Sequence, residues 1–212
     1  MIVAEHYSDA NPELLKQMFR LRADAFGTRR GWQVSVKNGK ECDQFDEINP
    51  LYLMCVDDHG ELLASLRLLQ TTGPHMLADV FHDLLGDEPL LRSPLIWEST
   101  RFCVNKNASE IRNAGGVNAV TCELLEGLCT VANKSGLHNL VSVYDVFMER
   151  ILRRSGCIFQ QYGRTVRYDD GLKTKAGIFD VNEIAMMSIR RAAAKTSAPR
   201  FVGKYWSDLN AA

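Results

Sequence analysis

A chain of 212 residues with 46% hydrophobic and 24% charged side chains can bury one sizeable core, which excludes the disordered and fibrous classes. Its longest apolar runs, such as Leu51–Val56, fall far short of the roughly 20 residues a membrane helix needs. Residues 1–6 lack the basic and apolar regions of a secretion signal, so a cytoplasmic protein without a membrane partner is expected.

The six cysteines include no C-x-x-C pair and the five histidines no H-x-x-x-H spacing. The thiols are expected to be reduced small hydrophobes, and no metal site is expected. The net charge of −1 hides an asymmetry. Residues 134–204 hold 13 Lys/Arg against 6 Asp/Glu, whereas residues 1–133 hold 12 against 19. The basic excess is either solvated surface or a face for an acidic partner. With pI ≈ 6.5 and no interleaving of aromatic and basic residues, nucleic acid is not an expected partner.

In chain order, residues 2–4 suit a first strand. Asn11 as N-cap and Pro12 at the first helical position open a helix running to about Phe26, with Gly27 as its stop. Residues 28–50 form a polar segment of a length that usually serves function. Residues 51–56 and 62–69 flank Asp57-Asp58-His59-Gly60 as a β-hairpin. A short helix near 77–85 and a strand over 95–104 follow. Val120, Leu124, Leu128 and Val131 recur at helical spacing, predicting a helix over 117–133 with Gly136 past its end. A strand at 140–143, a helix at 146–154 stopped by Gly156, strands at 158–162 and 176–181, and a helix at 182–194 complete the pattern. No repeat or linker divides residues 1–212, so one domain is expected. The alternation predicts an α/β (α+β) fold, a three-layer αβα sandwich with a mixed sheet covered on both faces.

The informative residues are charges in apolar positions. Arg22 falls inside the apolar arc of Leu14, Leu15, Met18, Leu21, Ala25 and Phe26; it either snorkels at the edge or has a buried partner. In the second hairpin strand Leu62, Ala64, Leu66 and Leu68 make one face, and Arg67 lies on the other. Strict alternation would put Glu98 and Arg101 on opposite faces of their strand, so a shared site requires a bulge or splay there. Asp43 and Asp46 sit in the polar segment with Trp32, as part of an ordinary solvated loop or of a charged cleft. Three arginines and three carboxylates (Asp43, Asp46, Glu98) around core elements suggest a cleft for a zwitterionic or doubly charged substrate.

Taken together, Arg22-x-x-x-Phe26, Trp32, Asp43-x-x-Asp46, Arg67 and Glu98-x-x-Arg101 resemble the signature of the acyl-homoserine lactone synthases. The resemblance covers residues 2–104 and continues to about Gly156. It implies a twisted mixed sheet similar to the GCN5-related N-acetyltransferases, with a cleft where two strands splay. It also implies a reaction: acylation of the α-amine of S-adenosylmethionine from acyl carrier protein or acyl-CoA, then lactone closure with loss of methylthioadenosine. S-adenosylmethionine would be a substrate, and no tightly bound cofactor is implied. By resemblance Glu98 is the general base. Arg22, Arg67 and Arg101 would position the carboxylate, Asp43 and Asp46 would hold the sulfonium–amine end or order the arginines, and Phe26 and Trp32 would close over the substrate. Phe102 would join them in binding substrate.

Where family members that prefer 3-oxo chains carry a threonine, this chain has Tyr144, expected to disfavour that preference or to reshape the acyl tunnel. Arg150, Arg153 and Arg154 suit docking of an acidic acyl carrier protein. The rival reading, a plain GCN5-related N-acyltransferase acting from acyl-CoA on another amine, would use a pyrophosphate loop that residues 112–117 match only in part. A non-catalytic regulator is the other rival.

Overall fold

The computed structural model describes residues 1–29, 33–110, 118–168, 171–193 and 199–211. Strand β1 is Ile2–His6, and helix α1 spans Pro12–Arg22 behind the Asn11 cap, whose side chain accepts from the Glu13 amide at 2.8 Å. The helix does not end at Gly27. It widens into a π-helical stretch, Ala23–Arg29, a device often found at functional sites. Two short strands, β2 (Val36–Lys37) and β3 (Lys40–Glu41), form a separate hairpin within the segment read from sequence as irregular. Its turn, Asn38-Gly39, takes φ of 52° and 71°, the positive pair that an Asn-Gly hairpin requires.

The main sheet then builds up through β4 (Leu51–Val56), β5 (Leu62–Gln70), a short helix α2 (Met76–Asp79) and β6 (Ile96–Val104). Helix α3 (Ala119–Lys134) starts at an Asn118 cap. After it come β7 (Asn139–Asp145), α4 (Val146–Arg154), β8 (Phe159–Tyr168), β9 (Leu172–Asp180), α5 (Glu183–Ala193), β10 (Phe201–Val202) and α6 (Lys204–Ala211). Among the described residues eight strands form one mixed sheet in the order β10-β1-β4-β5-β6-β7-β9-β8. The elements β10 and α6 carry too short an apolar pattern to be read from sequence; they hold on through Phe201 stacked on Trp206 at 4.1 Å and packed under the sheet.

Alternation along the strands gives the sheet two apolar faces. Ala4, Leu53, Leu66 and Leu68 meet Leu124, Leu128 and Val131 of α3 on one side. Val3, Tyr52, Met54 and Cys103 meet Met18, Phe19 and Phe26 of the α1 region on the other. The expectation that Leu62 shares a face with Ala64, Leu66 and Leu68 fails for a local reason. A register shift between Cys55 and Val56 turns Leu62 toward the α1 side, while Ala64 onward faces α3.

Helix α3 crosses β1 closely because Gly127 lies against it: a Cβ there would come within 3.1 Å of Ile2 Cγ1, and Ile2 is fully buried. Gly127→Val should therefore lower stability by roughly 1–3 kcal/mol through overpacking. Chemical denaturation of the two proteins measures this, and an unchanged midpoint would contradict the close crossing.

Candidate active site

The site begins with the Asn38-Gly39 hairpin and the turn that follows it. The hairpin delivers Glu41 into the interior, where it is 1% exposed. Asp43 and Asp46 are then the first and last members of a reciprocal capping box around the 3-10 turn Gln44–Asp46. The Asp43 side chain accepts from the Phe45 amide at 2.9 Å, and Asp46 accepts from the Asp43 amide at 2.9 Å. The D-x-x-D spacing thus sets two carboxylates side by side and leaves their other lone pairs for arginines.

Three arginines take them up. Arg22 spans Asp46 with two bonds of 2.8 and 2.9 Å and reaches Glu41 through Nε at 2.5 Å. Arg67, from mid-strand β5, binds Asp43 at 2.5 and 3.0 Å, Asp46 at 2.7 Å and the Thr100 hydroxyl at 3.1 Å. Tyr52 adds a hydrogen bond to Asp46 at 2.6 Å. Arg101 closes the ring with Nη2 at 2.9 Å from Glu41 and 2.7 Å from Asp43. Burial disfavours the charge on Asp46, but the hydrogen bonds and charge of Arg22, then of Arg67, outweigh it and hold its carboxyl well below the usual range. Asp43 is lowered too: burial opposes its ionisation and Arg67 and Arg101 overcome it. The cluster has a buried floor and an open rim. Arg22 and Arg67 are almost wholly enclosed, whereas the Arg101 and Asp43 side chains are 13% and 19% exposed.

Glu98 does not belong to this ring, contrary to the grouping expected from sequence; the third carboxylate is Glu41. The Glu98 carboxylate accepts from the Met76 and Leu77 amides at 2.6 and 2.7 Å, at the start of α2. Met76 lies between Glu98 and the ring, its sulfur 3.4 Å from both Arg67 Nη2 and Arg101 Nη1. Burial pushes the Glu98 carboxyl up to about 7, against the opposing pull of those two amides and of Arg67 and Arg101.

The required break in alternation is present. Arg67 pairs with Thr100 and Ser65 with Cys103, so β6 holds one extra residue there, and Arg101 takes a left-handed φ of 54°. The bulge turns Arg101 to the face that Thr100 and Arg67 share. On the other edge of β6, parallel pairing with β7 ends at Ser99–Ser142, where the Ser142 hydroxyl donates to the Ser99 carbonyl at 2.7 Å. Past that point the strands separate and a cavity opens. Its mouth is lined by Phe26, Val34, Met76 and Arg101. It passes Phe102, Val143 and Tyr144 and runs between Leu125, Leu128 and Cys129 of α3 and Met148 and Leu152 of α4. The Phe26 ring lies 5.3 Å below the Arg101 guanidinium, so the ion-pair rim and the tunnel mouth share one residue.

The residues read from sequence thus fall into groups. Arg22, Asp43, Asp46, Arg67 and Arg101 form the ion-pair cluster; Phe26, Phe102 and Tyr144 line the tunnel; Glu98 stands behind Met76. Trp32 and the 112–117 loop lie outside the described residues. Arg150, Arg153 and Arg154 are exposed on the outer face of α4, where Arg153 bonds Glu149 at 2.9 Å and stacks over Phe159 at 4.5 Å. Sequence reasoning misses Glu41, although the Asn38-Gly39 turn just before it marks a hairpin that would carry it inward.

A mixed sheet splayed between two parallel strands, with an apolar tunnel entering at the splay beside a charged pocket, defines an acyltransferase. The chain belongs to the autoinducer synthase family, whose model matches residues 5–186. It is 41% identical over 157 residues to the acyl-homoserine-lactone synthase of Rhizobium etli, covering 73% of this chain and 72% of that one. The crystal structure of the AHL synthase LasI superposes with a TM-score of 0.79 at 28% identity, over 89% of this chain and 93% of that one. The CoA-dependent acyl-homoserine lactone synthase MesI superposes at 0.78 and 27% identity, over 93% and 97%. An acyl-CoA N-acyltransferase from Pseudomonas aeruginosa shares the fold alone, at a TM-score of 0.56, 18% identity, and coverage of 84% and 97%.

Removing the charge of Asp46 leaves Arg22 and Arg67 short of a buried partner. Asp46→Asn should destabilise the chain by about 3–5 kcal/mol at neutral pH. Because the folded value of Asp46 lies below its ordinary 3.8, its contribution is complete above that pH and is lost as pH falls through the folded value. The gap between parent and variant in thermal melts should therefore narrow below about pH 4, and a gap independent of pH would contradict the pairing.

Proposed function

We propose that the chain makes acyl-homoserine lactones in the cytoplasm, acylating the α-amine of S-adenosylmethionine from a fatty acyl thioester and closing the product to a lactone. The observation that carries this reading is one residue common to the ion-pair cluster and the apolar cavity: Arg101 pairs with Glu41 and Asp43 and also lines the tunnel. A zwitterion held at the rim meets a thioester carbonyl held at the splay.

The roles follow from exposure. Arg101 and Asp43 are the partly open members of the cluster, so the methionine carboxylate and the ammonium end exchange with the Arg101–Asp43 pair. Arg22, Arg67, Asp46 and Glu41 hold those two in place from behind. Glu98, which stands behind Met76 with its oxygens on the Met76 and Leu77 amides, takes the proton that the ammonium must lose through an intervening water, a task suited to a carboxyl poised near 7. The free amine adds to the thioester carbonyl, the tetrahedral intermediate collapses, and the thiolate leaves and is protonated. The methionine carboxylate then attacks its own γ-carbon. The carbon–sulfur bond breaks, its electron pair goes to the sulfonium sulfur, and methylthioadenosine departs neutral.

The donor is acyl carrier protein, with acyl-CoA as the alternative. Arg150, Arg153 and Arg154 surround Ile151, which is 40% exposed, on the outer face of the helix whose Met148 and Leu152 line the tunnel. Basic residues around an exposed apolar side chain suit an acidic carrier by steering it to the tunnel.

Glu98→Gln and Arg101→Ala should each abolish lactone formation while leaving the chain folded by circular dichroism. Activity of the parent should fall as pH drops through about 7, because Glu98 is then protonated. Near-parental turnover in either variant would overturn that residue's role. Raising salt should slow turnover with carrier-bound donor far more than with acyl-CoA; equal effects would remove Arg150, Arg153 and Arg154 from docking.

A further inference from the structure

Met76 touches both halves of the charged site, through different atoms. Its amide, with that of Leu77, holds the Glu98 carboxylate at 2.6 and 2.7 Å. Its sulfur lies 3.4 Å from both Arg67 Nη2 and Arg101 Nη1. A thioether is a weak acceptor, and a carboxylate would bind either guanidinium far more strongly. Glu98 would be such a partner, yet among the described residues it forms no ion pair, whereas Asp43 and Asp46 both bond Arg67 directly. Burial opposes the charge on Asp46 and on Glu98 alike. For Asp46 the bonds from Arg22 and Arg67 overcome it; for Glu98 no such bond exists, and burial pushes the carboxyl up to about 7. The charges acting on Glu98 are Arg67 of β5 and Arg101 of β6. Its neighbours across the sheet are apolar, Leu69 on β5 and Val141 on β7. At α2 the titratable pair His75 and Asp79 is engaged elsewhere: the His75 amide donates to Asp79 at 3.1 Å, and a His75 ring nitrogen lies 2.9 Å from the Gly73 carbonyl.

What separates Glu98 from the two arginines is the Met76 side chain, which is 5% exposed and packs in the apolar cluster of Phe45, Leu69, Leu77 and Val141. We propose that Met76 is a positioning residue for Glu98: its amide anchors the carboxylate, while its side chain fills the gap to Arg67 and Arg101 and keeps Glu98 out of the ion-pair cluster. This rests on the reading of Glu98 as the group that takes the substrate's proton. A carboxylate already paired with a guanidinium is a poor base, because protonation would have to break the pair. With Met76 in place, cations that position a substrate and a carboxylate that accepts its proton share one small site without cancelling each other. The separation is a matter of bulk, so leucine, close to methionine in volume, preserves it.

The test pairs the pH dependence of kcat/KM for S-adenosylmethionine with an isotope-edited NMR titration of the Glu98 carboxyl in the free protein, its signal assigned by loss in Glu98→Gln. Both read a midpoint within one sample and are insensitive to partial loss of folded protein. The parent should titrate near 7 in both, so that at about pH 6 it works at about a tenth of its maximal rate. Met76→Ala keeps the anchoring amide and opens the gap to the arginines and to water. Its midpoints should fall by about one unit or more, leaving about half or more of its own, lower, maximum at about pH 6. Met76→Val should shift the same way by less, and Met76→Leu should keep the parental midpoint. An unmoved carboxyl midpoint in Met76→Ala, or in Met76→Val should the alanine variant not fold, would overturn the inference. So would a Met76→Leu shift as large as that of Met76→Ala, or a parental Glu98 that titrates in the ordinary carboxylate range. Parental turnover in Glu98→Gln would instead overturn the role of Glu98, and this inference with it.

Discussion

Arg22 and Arg67, with 1% and 0% exposure, are held inside the protein by carboxylates that a single capping box and a single hairpin supply. A guanidinium so enclosed is tolerable only when nearly every donor is used. Arg22 uses its three nitrogens on Glu41 and Asp46, and Arg67 spends its own on Asp43, Asp46, Thr100 and the Met76 sulfur. The arrangement joins α1, the β2–β3 hairpin, β5 and β6 through charge, beside the apolar contacts that α1 makes with the sheet. A dry apolar core of the same volume would serve stability as well or better, so the cluster is best understood as a preformed receptor. Its positive and negative groups are already at fixed spacing before any substrate arrives, which limits the reorganisation that binding requires.

The second constraint is backbone geometry at one residue. The bulge at Arg101 turns a strand residue toward the cluster, and a left-handed φ at a non-glycine residue carries strain that the three-way pairing must hold in place. The same strand loses its parallel neighbour after Ser99, so the site of distortion is also the site where the sheet opens. One local departure from ideal geometry therefore does two things. It turns the Arg101 cation to the open rim of the cluster, and it leaves an apolar cavity between β6 and β7 under α3 and α4. Glu98 lies three residues before Arg101 on this strand, with its proton affinity raised by burial and tempered by the α2 amides.

Periodicity locates the helices α3 and α4 and the β4–β5 hairpin because each has one apolar face and clear stop residues. The need for a bulge between Glu98 and Arg101 is also legible, since period-two alternation and a shared site are incompatible. What pattern does not supply is the partner list. Asp43 and Asp46 look like solvated loop residues until the capping box is seen, and Glu41 is flanked by lysine and cysteine with nothing apolar to mark its burial. The pattern carries the first helix to Phe26, but its π-helical geometry from Ala23 and its run past Gly27 to Arg29 are invisible because Gly27 imitates an ordinary stop.

The ion-pair cluster and the apolar cavity meet at Arg101, and the proposed reading gives S-adenosylmethionine to the first and the acyl chain to the second. The most direct measurement is the product balance of the purified protein given S-adenosylmethionine and an acyl thioester panel, with acyl-homoserine lactone and methylthioadenosine quantified together. The two should appear in equal amounts and only when both substrates are present. Acyl transfer to an amine without release of methylthioadenosine, or no consumption of S-adenosylmethionine with any donor, would contradict a shared site of this kind.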